Sequence, residues 1–437
     1  MLPELRALDS TRDLIRIPDE QNVPLTPRVR RIIDTAAFQR LRRVSQLGLV
    51  AHVYPGATHS RFEHALGVYH NALRYLQQLW RDPRFGEIVS EEDATRLVAA
   101  ALLHDIGHWP FCHPIEDLGL PGLTRHEEAA RQIVLGDEVG PILADDWGLD
   151  PESVVAILEG RDDDAIGPAG RLMQSILSGP IDIDKMDYLE RDSRHAGVPY
   201  GRNFDKQRLI QSLTLDQAGT GLAITAKGRT AAELMVFARY VMFSEVYWHH
   251  AVRSATAMLT RAFLELHPSL AGDLLAMGDA DLIAAMRDAA GDGPIRPLVE
   301  GSLGGGRRLY KRLFEFSRED DEHLYDRLTR LPAHDLADLG RRLGEIVGDA
   351  SGGRDPLAVI LDVPSPHREI EFDIEVHDTK AGRVRSLRDA SPVVDALAGS
   401  QFTDAVKRVR VFASPEARDA IAASTDWSAA ISDAITS

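Results

Sequence analysis

The chain has 437 residues, 44% of them hydrophobic and 27% charged, which is typical of a folded globular protein and excludes a disordered composition. Its single cysteine, Cys112, excludes an intramolecular disulfide, and its formal net charge of −17 opposes long-range attraction to nucleic acid. The N-terminus has no secretion signal pattern and the apolar run 97–103 is far shorter than the ~20 residues that span a bilayer, so we expect a soluble, cytoplasmic protein with no membrane or nucleic-acid partner.

The first distinctive segment along the chain is basic. Six arginines lie within sixteen residues that contain a single acid, Asp34: Arg28, Arg30, Arg31, Arg40, Arg42 and Arg43. One interpretation is a solvated, arginine-rich helix face. The other is a local site for a phosphate-bearing ligand, which a chain of this net charge would need.

Histidines concentrate between positions 52 and 126, which hold eight of the chain's 16. The residues 90–93 have the form of a capping box and predict the start of an apolar helix that ends at His104 and Asp105. Burial of this helix carries both polar groups inward, and a bound cation is one of the few ways to offset a buried carboxylate. The alternative is a helix end whose histidines favour the helix dipole, which leaves Asp105 unexplained.

Two more segments supply polar groups. Arg61 and His64 lie three residues apart and share a helix face. The segment 181–192 is dense in carboxylates, and a helix from Asp184 places three of its side chains on one face: Lys185, Tyr188 and Asp192. A solvated acidic helix is the alternative, although the apolar residues in the segment favour packing. Imidazoles and carboxylates without thiolate suit Mn²⁺, Fe²⁺, Co²⁺, Ni²⁺ or Zn²⁺.

Helical periodicity dominates to about residue 345, and the stretch 236–264 predicts one long helix. Beyond Pro356 the pattern changes, and three segments have the apolar or alternating character of strands: 357–363, 370–376 and 408–412. We therefore predict a mainly α protein, with a helical domain and its extensions in residues 1–350 and a small α+β domain in residues 356–437.

In this order, His64, the pair His104–Asp105 and Asp184 resemble the signature of the HD phosphohydrolase superfamily. The segments 54–67, 104–113 and 182–188 resemble its deoxynucleoside triphosphate (dNTP) triphosphohydrolase branch, some of whose members carry a sterile alpha motif. The resemblance covers residues 10–260, so we expect no sterile alpha motif before it. It implies an HD-domain helical core and a homo-oligomer, either a dimer or a tetramer.

The resemblance also implies a role for each candidate site residue. A divalent transition metal would be held by His64, His104, Asp105 and Asp184, with Mg²⁺ on the substrate phosphates. The dNTP would be bound by Gln46, Arg61, Lys185, Tyr188, Asp192, Arg239 and Tyr247. The catalytic cluster would be His108, His113, Glu116, His126 and Glu127. In it, His113 would protonate the leaving 5′-oxygen and Glu116 would orient His113.

The implied reaction is attack of metal-bound water on the α-phosphorus, which gives a deoxynucleoside and inorganic triphosphate. Two other hypotheses remain open: an HD phosphohydrolase or phosphodiesterase acting on another nucleotide or an oligonucleotide end, and a nucleotide-binding or scaffold protein without turnover. The resemblance further implies an activating nucleotide bound by Asp34, Gln39 and Arg42. A plain helix-surface charge pattern is the alternative for these residues.

Overall fold

The computed structural model of the chain describes residues 2–18, 22–160, 167–351, 355–365, 374–398, 406–420 and 426–436. Helices dominate this part of the chain, with a few short strands, and this confirms the predicted mainly α fold class. Within the described ranges, no helix is both long enough and apolar enough to cross a bilayer.

The helices follow one another along the whole chain. In the first half they are α1 Pro3–Ala7, α2 Pro27–Ile33, α3 Ala36–Arg40, α4 Arg61–Leu79, α5 Pro83–Ile88, α6 Glu91–Leu103, α7 Cys112–Glu116, α8 His126–Leu135, α9 Gly140–Asp145, α10 Pro151–Leu158, α11 Gly167–Ser178, α12 Ile183–His195 and α13 Lys206–Gln211. In the second half they are α14 Arg229–Val241, α15 His250–Leu266, α16 Asp279–Ala290, α17 Arg296–Leu303, α18 Glu322–Thr329, α19 Ala333–Ser351, α20 Leu387–Ala390, α21 Pro392–Ala398, α22 Pro415–Ala420 and α23 Trp427–Thr436.

The centre of the core is formed by α4, which packs against both α6 and α12. The predicted capping box begins α6: the Ser90 side chain accepts a hydrogen bond from the Asp93 backbone, and the Asp93 carboxylate accepts one from the Ser90 backbone. Every residue from Ala94 to Leu103 except Arg96 is buried, as expected for a helix that is apolar on nearly all sides. The C-terminal end of α6 therefore lies in the interior.

The prediction of one continuous helix over 236–264 is wrong at the centre of that range. A π-helical turn, Met242–Tyr247, and the non-helical Trp248 separate α14 from α15. The Trp248 ring lies 4.3 Å from the Arg253 guanidinium, and its carbonyl accepts a hydrogen bond from Arg410 at 3.1 Å. These tertiary contacts hold the break, whereas apolar periodicity continues through it and carries no signal of it.

The strands are β1 Leu14–Ile15, β2 Val23–Pro24, β3 Leu213–Leu215, β4 Leu222–Thr225, β5 Lys311–Phe316, β6 Val359–Asp362, β7 Glu375–Asp378, β8 Arg383–Ser386 and β9 Val409–Ala413. They form an antiparallel pair β1–β2, a sheet of order β3-β4-β7-β8 and a sheet of order β5-β9-β6. Only the pairing of β4 with β7 is parallel among the described strands. The predicted strands at 357–363 and 408–412 are confirmed as β6 and β9. Of the strand predicted at 370–376, residues 370–373 lie outside the described ranges and β7 begins at Glu375.

Strands from the C-terminal segment pair with strands that precede residue 350. In the first sheet, β7 pairs with β4, and in the second sheet β9 pairs with β5. Ile374 and Val376 belong to the same hydrophobic core as α4, and Ile360 and Phe412 belong to the core around α15. The predicted division of the chain into two domains at residues 350–356 stays a prediction. Residues from both predicted domains contribute strands to the sheet β3-β4-β7-β8 and to the sheet β5-β9-β6.

Candidate active site

Four polar side chains from three helices meet at the centre of the core. His64 Nε2 lies 3.2 Å from His104 Nε2 and 3.0 Å from Asp184 Oδ1. His104 Nε2 lies 3.5 Å from Asp105 Oδ1 and 4.0 Å from Asp184 Oδ1. The structure thus brings together the four residues predicted to hold the metal, although they are far apart along the chain.

Helix ends and helix faces determine where these side chains lie. His64 is on the buried face of α4, one turn from its start, and His104 directly follows the last residue of α6. Asp184 lies in the first turn of α12, where Asp182 caps the helix by accepting a hydrogen bond from the Lys185 backbone at 2.6 Å. The Asp184 side chain is 34% exposed and that of His64 only 2%. The cluster is therefore open to solvent on the Asp184 side.

The spacing of this cluster fits one divalent cation. Ligand atoms about 2.0–2.2 Å from a common ion lie about 3.0–3.5 Å from one another. His64 Nε2 lies 3.2 Å from His104 Nε2, 3.0 Å from Asp184 Oδ1 and 3.8 Å from Asp105 Oδ2, and ligand atoms of His64, His104 and Asp105 all lie within 4.8 Å of one another. Two imidazoles and two carboxylates also form a donor set that suits transition metals. We therefore regard this cluster as a candidate site for a divalent metal.

A carboxylate supports His64 from the other edge of its ring. His64 Nδ1 lies 2.8 Å from Asp187 Oδ2, and both Asp187 oxygens accept hydrogen bonds from the Arg191 guanidinium at 2.8 and 2.6 Å. A Cβ atom on Gly67 would overlap Asp187 and Arg191, so glycine is needed for this approach. Burial opposes a charged imidazole, but hydrogen bonds to Asp184 and Asp187 raise the pKa of His64 to about 10.

Asp105 is a buried carboxylate with a cationic neighbour. Arg61 Nη1 donates to Asp105 Oδ2 at 2.8 Å, and both side chains are nearly inaccessible to solvent. Burial works against ionisation, yet the charges of Arg61 and the surrounding histidines hold the pKa of Asp105 well below its usual range. Arg61 was assigned to the triphosphate by resemblance. Its Nε atom has no hydrogen-bond partner among the described residues and remains available as a donor to a ligand.

The turn after α6 is anchored by Arg40. This arginine is buried and donates to the carbonyl oxygens of Ile106 and His108 at 2.7 and 2.6 Å. Carbonyl groups at a helix end lack helical partners, so this side chain satisfies two of them at once. Burial, with the charges of Arg43 and Arg61, lowers the pKa of Arg40 to about 10.

Three more imidazoles lie beside Asp105. His108 Nδ1 lies 3.2 Å from Asp105 Oδ1, and His108 Nε2 lies 3.3 Å from His113 Nε2. The His126 ring centroid lies 4.2 Å from that of His108 and 5.2 Å from that of His113. Desolvation by the surrounding protein, with the charge of Arg61, lowers the pKa of His113 to about 4, although the residue is accessible to solvent. A bound anion would act in the opposite direction and favour the protonated ring.

The hydrogen-bond partner of Glu116 in the structure is His126, and the role implied for Glu116 in orienting His113 stays a prediction. Glu116 Oε2 lies 2.8 Å from His126 Nδ1, and Glu116 Oε1 accepts a hydrogen bond from the His126 backbone at 2.6 Å. His126 begins α8, where a backbone N–H lacks a helical partner, and the end of α7 faces it. Glu127 Oε2 lies 3.5 Å from the same His126 Nδ1. Glu116 therefore orients His126.

The residues predicted to hold phosphate surround the N-terminal end of α12. Lys185 Nζ donates to Asp182 Oδ2 at 2.5 Å and to the Gly179 carbonyl at 3.1 Å. Burial raises the pKa of Tyr188, against the positive charges of Arg239 and Lys185. Tyr188, Arg239 and Lys185 therefore lie near enough for their charges to influence one another.

The residues predicted to contact the sugar form a second polar group. Tyr247 donates to Asp192 Oδ2 at 2.6 Å, and burial, with the charge of Asp192, raises the pKa of Tyr247 well above its usual value. Gln46 Oε1 is buried and has no hydrogen-bond partner among the described residues. A bound hydroxyl group would satisfy this acceptor.

The basic segment is mostly engaged within the chain. Four of its arginines pair with acids in the contacts Arg28–Glu4, Arg30–Asp13, Arg31–Asp146 and Arg43–Asp281. Arg42 lies over the Phe62 ring at 4.2 Å, Gln39 donates to the Ile33 carbonyl at 2.8 Å, and Asp34 is an exposed residue at the end of α2. The activating-nucleotide site stays a prediction.

Three residues that the structure places at the metal or sugar site were given no role there by the sequence analysis: Arg40, His59 and Asp187. Asp187 lies one helical turn after Asp184 in the acid-dense segment, and this spacing is the signal that could have identified it. His59 belongs to the histidine-rich stretch, but its partner is distant in sequence. Arg40 is indistinguishable by composition from the exposed arginines around it.

Comparisons with known proteins agree with the geometry. Residues 61–192 match the HD domain family model, and residues 204–431, just over half of the chain, match the model of the HD associated region. The uncharacterized protein YwfO of Bacillus subtilis is 37% identical over 232 residues, which are 53% of this chain and 50% of that protein. The human deoxynucleoside triphosphate triphosphohydrolase SAMHD1 is 32% identical over 285 residues, which are 58% of this chain and 45% of that protein.

A solved structure covers almost the entire chain. A hypothetical protein from Aquifex aeolicus aligns with 96% of this chain and 99% of its own, with a TM-score of 0.68 and 27% identity. The curated relatives are longer, and the chain matches only about half of their length. On these family matches the chain belongs to the HD superfamily, with an HD domain followed by an HD associated region, in the branch that contains SAMHD1.

Proposed function

We propose that this protein is a metal-dependent phosphohydrolase that converts dNTPs into deoxynucleosides and inorganic triphosphate. The observation that carries the proposal is the meeting of two imidazoles and two carboxylates, those of His64, His104, Asp105 and Asp184, in one cluster. HD domains bind divalent metals, and relatives with the name dNTP triphosphohydrolase support the choice of substrate.

In this proposal, these four residues hold one divalent transition metal. When bound, the ion would lower the pKa of a coordinated water and neutralise charge on a phosphoryl oxygen. Asp187 would fix the orientation and the tautomer of His64, since its carboxylate accepts the Nδ1 proton and leaves Nε2 for the ion.

Positive charge for the phosphates comes from Arg61, Lys185 and Arg239. This local charge matters because the whole chain carries a net charge of −17, which repels a triphosphate at long range. Arg61 donates to Asp105 through Nη1, and its Nε atom remains available as a donor to a phosphate. One side chain would therefore contact both the metal site and the phosphates.

His113 is the proposed acid for the leaving 5′-oxygen. Partial desolvation, with the charge of Arg61, lowers the pKa of His113 in the free site, so the ring is neutral at pH 7 even though it is accessible to solvent. A bound triphosphate reverses the sign of the local charge and raises that pKa, so the proton is held only when substrate is present. The pair Glu116–His126 lies beside this ring and fixes the position of the third imidazole.

The sugar is held by Gln46, Asp192 and Tyr247. Asp192 accepts from Tyr247, and a further lone pair on its carboxylate would accept a 3′-hydroxyl. The Tyr247 ring, held in place by this hydrogen bond, would lie against the sugar where a 2′-hydroxyl would otherwise fit.

A product assay tests the proposal. Wild-type protein is incubated with each dNTP and with Mn²⁺ or Mg²⁺, and the expected phosphate product is inorganic triphosphate. Release of pyrophosphate with a nucleoside monophosphate, or activity only on an oligonucleotide end or another nucleotide, would contradict it.

A matched pair of variants tests the site itself. Asp105→Ala is expected to lose both bound metal and turnover, because it removes one donor and leaves Arg61 unpaired. Asp145→Ala changes an exposed aspartate at the end of α9 and is expected to keep both. Full activity of Asp105→Ala would contradict the metal assignment.

A further inference from the structure

We propose that His59 is the positioning residue of the sugar site, and that it holds Asp192 through its side chain and Gln46 through its backbone. This inference rests on the proposed function and deepens it, because it names the residue on which recognition of the sugar hydroxyl depends. His59 lies within the segment 54–67 that carries the family resemblance, but the resemblance implies no role for it.

The Asp192 carboxylate is held from both sides. His59 Nε2 lies 2.8 Å from Asp192 Oδ1, and the Tyr247 hydroxyl donates to Asp192 Oδ2 at 2.6 Å. The side chains of His59 and Asp192 are 0% and 3% exposed. Two donors on opposite oxygens fix the plane of the carboxylate and therefore the direction of its remaining lone pairs.

The hydrogen bond to Asp192 determines which ring nitrogen of His59 carries the proton. Because Asp192 only accepts hydrogen bonds, the Nε2 atom of His59 carries the donated proton. The other ring nitrogen, Nδ1, is buried and has no hydrogen-bond partner among the described residues. Most buried polar atoms in folded proteins have a hydrogen-bond partner, and each exception calls for a specific explanation.

The backbone of His59 positions the second sugar residue. The Gln46 backbone N–H donates to the His59 carbonyl at 2.9 Å, and the neighbouring residues Ser45 and Ser60 form an antiparallel bridge. The Gln46 side-chain oxygen is itself buried without a partner in the described part of the chain. His59 therefore connects the acceptor of Gln46 with the carboxylate of Asp192.

The ring of His59 is fixed by stacking. It lies on the His195 ring with centroids 4.3 Å apart and an interplanar angle of 19°. His195 Nε2 lies 3.0 Å from Glu63 Oε1, which also accepts from Arg191 Nη1 at 2.7 Å. A Cβ atom on Gly56 would overlap the His195 carbonyl, so glycine allows the chain to pass this stack closely.

The same contacts continue to the metal cluster. Arg191 binds Asp187 with two hydrogen bonds, and Asp187 supports His64. An uninterrupted series of ring and hydrogen-bond contacts thus joins Asp192 to His64. These contacts connect the residues of the sugar site with those of the metal site. Such a connection suits a reaction in which the sugar and the phosphates of the substrate must both be held in place.

Two substitutions of His59 separate its hydrogen bond from its stacking. His59→Phe keeps a ring against His195 and removes the donor to Asp192, whereas His59→Gln keeps a donor and removes the ring. For each holoenzyme, kcat and KM are measured with a dNTP and with its 2′,3′-dideoxy counterpart. We expect wild type to prefer the dNTP, and His59→Phe to lose about tenfold or more of that preference, mainly through KM. His59→Gln is expected to keep most of it.

Controls address folding and metal binding. His52→Phe makes the same change at a partly buried histidine whose Nε2 lies 2.6 Å from the Ser302 carbonyl, away from this network, and is expected to leave the preference unchanged. Metal content by elemental analysis should be equal in wild type and His59→Phe. If His59→Phe does not fold, Tyr247→Phe removes the opposite donor to Asp192 and should show the same loss of preference.

The outcomes separate the two proposals. If wild type hydrolyses dNTPs and folded His59→Phe keeps its preference over dideoxy substrates, the positioning role of His59 is overturned and the proposed function stands. If wild type hydrolyses no dNTP, the proposed function fails. The same comparison is then made by calorimetric titration with the dNTP and its dideoxy counterpart, where equal affinities for wild type would overturn the positioning role as well.

Discussion

His64 Nδ1 lies 2.8 Å from Asp187 Oδ2, on the edge of the imidazole opposite to Nε2, which lies 3.0 Å from Asp184 Oδ1. One ring nitrogen is therefore committed to a buried carboxylate, and the other is directed into the metal cluster. This is the arrangement by which proteins fix the tautomer and the orientation of a histidine ligand.

Asp187→Asn tests whether this support matters for metal binding. The amide cannot hold the His64 proton as a carboxylate does and weakens the contact with Arg191. We expect metal affinity to fall by about 10–100-fold, as is typical when such a partner is lost. Competition with a metal chelator, followed by elemental analysis, measures the change.

The matched control is Glu190→Gln on the same helix, α12. Glu190 pairs with Lys206 at 3.2 Å at a partly exposed position and has no contact with the cluster. Its substitution should leave metal affinity unchanged. Equal affinities in Asp187→Asn and wild type would show that His64 does not need this carboxylate.

Gly67→Ala is expected to damage the same support through sterics alone. A Cβ atom at this position would overlap Asp187 and Arg191, which are buried and cannot move freely. We expect the free energy of unfolding to fall by about 1–3 kcal/mol, the usual effect of overpacking, and metal affinity to fall with it. Thermal and urea denaturation with and without metal measure both effects.

Gly86→Ala provides the comparison for this prediction. Gly86 lies within α5, and a Cβ atom there meets nothing within 4 Å. Alanine is the better helix former, so this variant should be about 0.5–1 kcal/mol more stable than wild type. Similar stability of Gly67→Ala and Gly86→Ala would contradict the argument from close packing.

Most of the helical core could be predicted from local patterns. The capping box at Ser90 and the apolar run of α6 lie within 14 residues of one another, and both were correctly identified. The break at Trp248 could not be predicted, because it depends on Arg410, which lies 162 residues further along the chain. The pairing of β7 with β4 has the same non-local origin.

The candidate site shows the same limit. An ordered set of histidines and aspartates was enough to identify the four clustered residues, since the residue types themselves carry the chemistry. The contact of Glu116 with His126 could not be predicted, because it depends on how α7 faces the first turn of α8. Arg40 was grouped with five other arginines as either a solvated helix face or a phosphate site, because composition does not reveal which arginine is buried.

Arg40→Lys is expected to loosen the turn that carries the HD residues. A lysine keeps the charge but cannot reach both the Ile106 and the His108 carbonyl with one planar group. Leaving a buried carbonyl unsatisfied costs about 1–3 kcal/mol, so the free energy of unfolding should fall by that amount. Urea denaturation at pH 7 measures it.

Arg30→Lys is the control from the same basic segment. Arg30 is 51% exposed and pairs with an exposed Asp13, so its replacement should change stability by less than about 0.5 kcal/mol. If the two variants were equally stable, the anchoring role of Arg40 would be wrong.

The protonation of the Cys112 thiol gives a prediction for its rate of alkylation at alkaline pH. Burial, with the charge of Glu116, raises the pKa of this thiol, and its side chain is almost inaccessible. An ordinary thiol has a pKa of about 8.5, so the unfolded chain loses its thiol proton near that pH while the folded chain retains it. Iodoacetamide reacts with the thiolate, and we therefore expect native protein at pH 8.5 to react at least about tenfold more slowly than the urea-unfolded chain.

The same difference in protonation affects stability. Above about pH 8.5 the unfolded state binds fewer protons than the folded state, so this thiol makes the free energy of unfolding fall as the pH rises. Cys112→Ala lacks the group, and its stability relative to wild type should increase between pH 8 and pH 10. Because Cys112 directly precedes His113, rapid alkylation of the native protein would show that α7 opens readily, which is incompatible with the fixed position of His113 that the proposed mechanism requires.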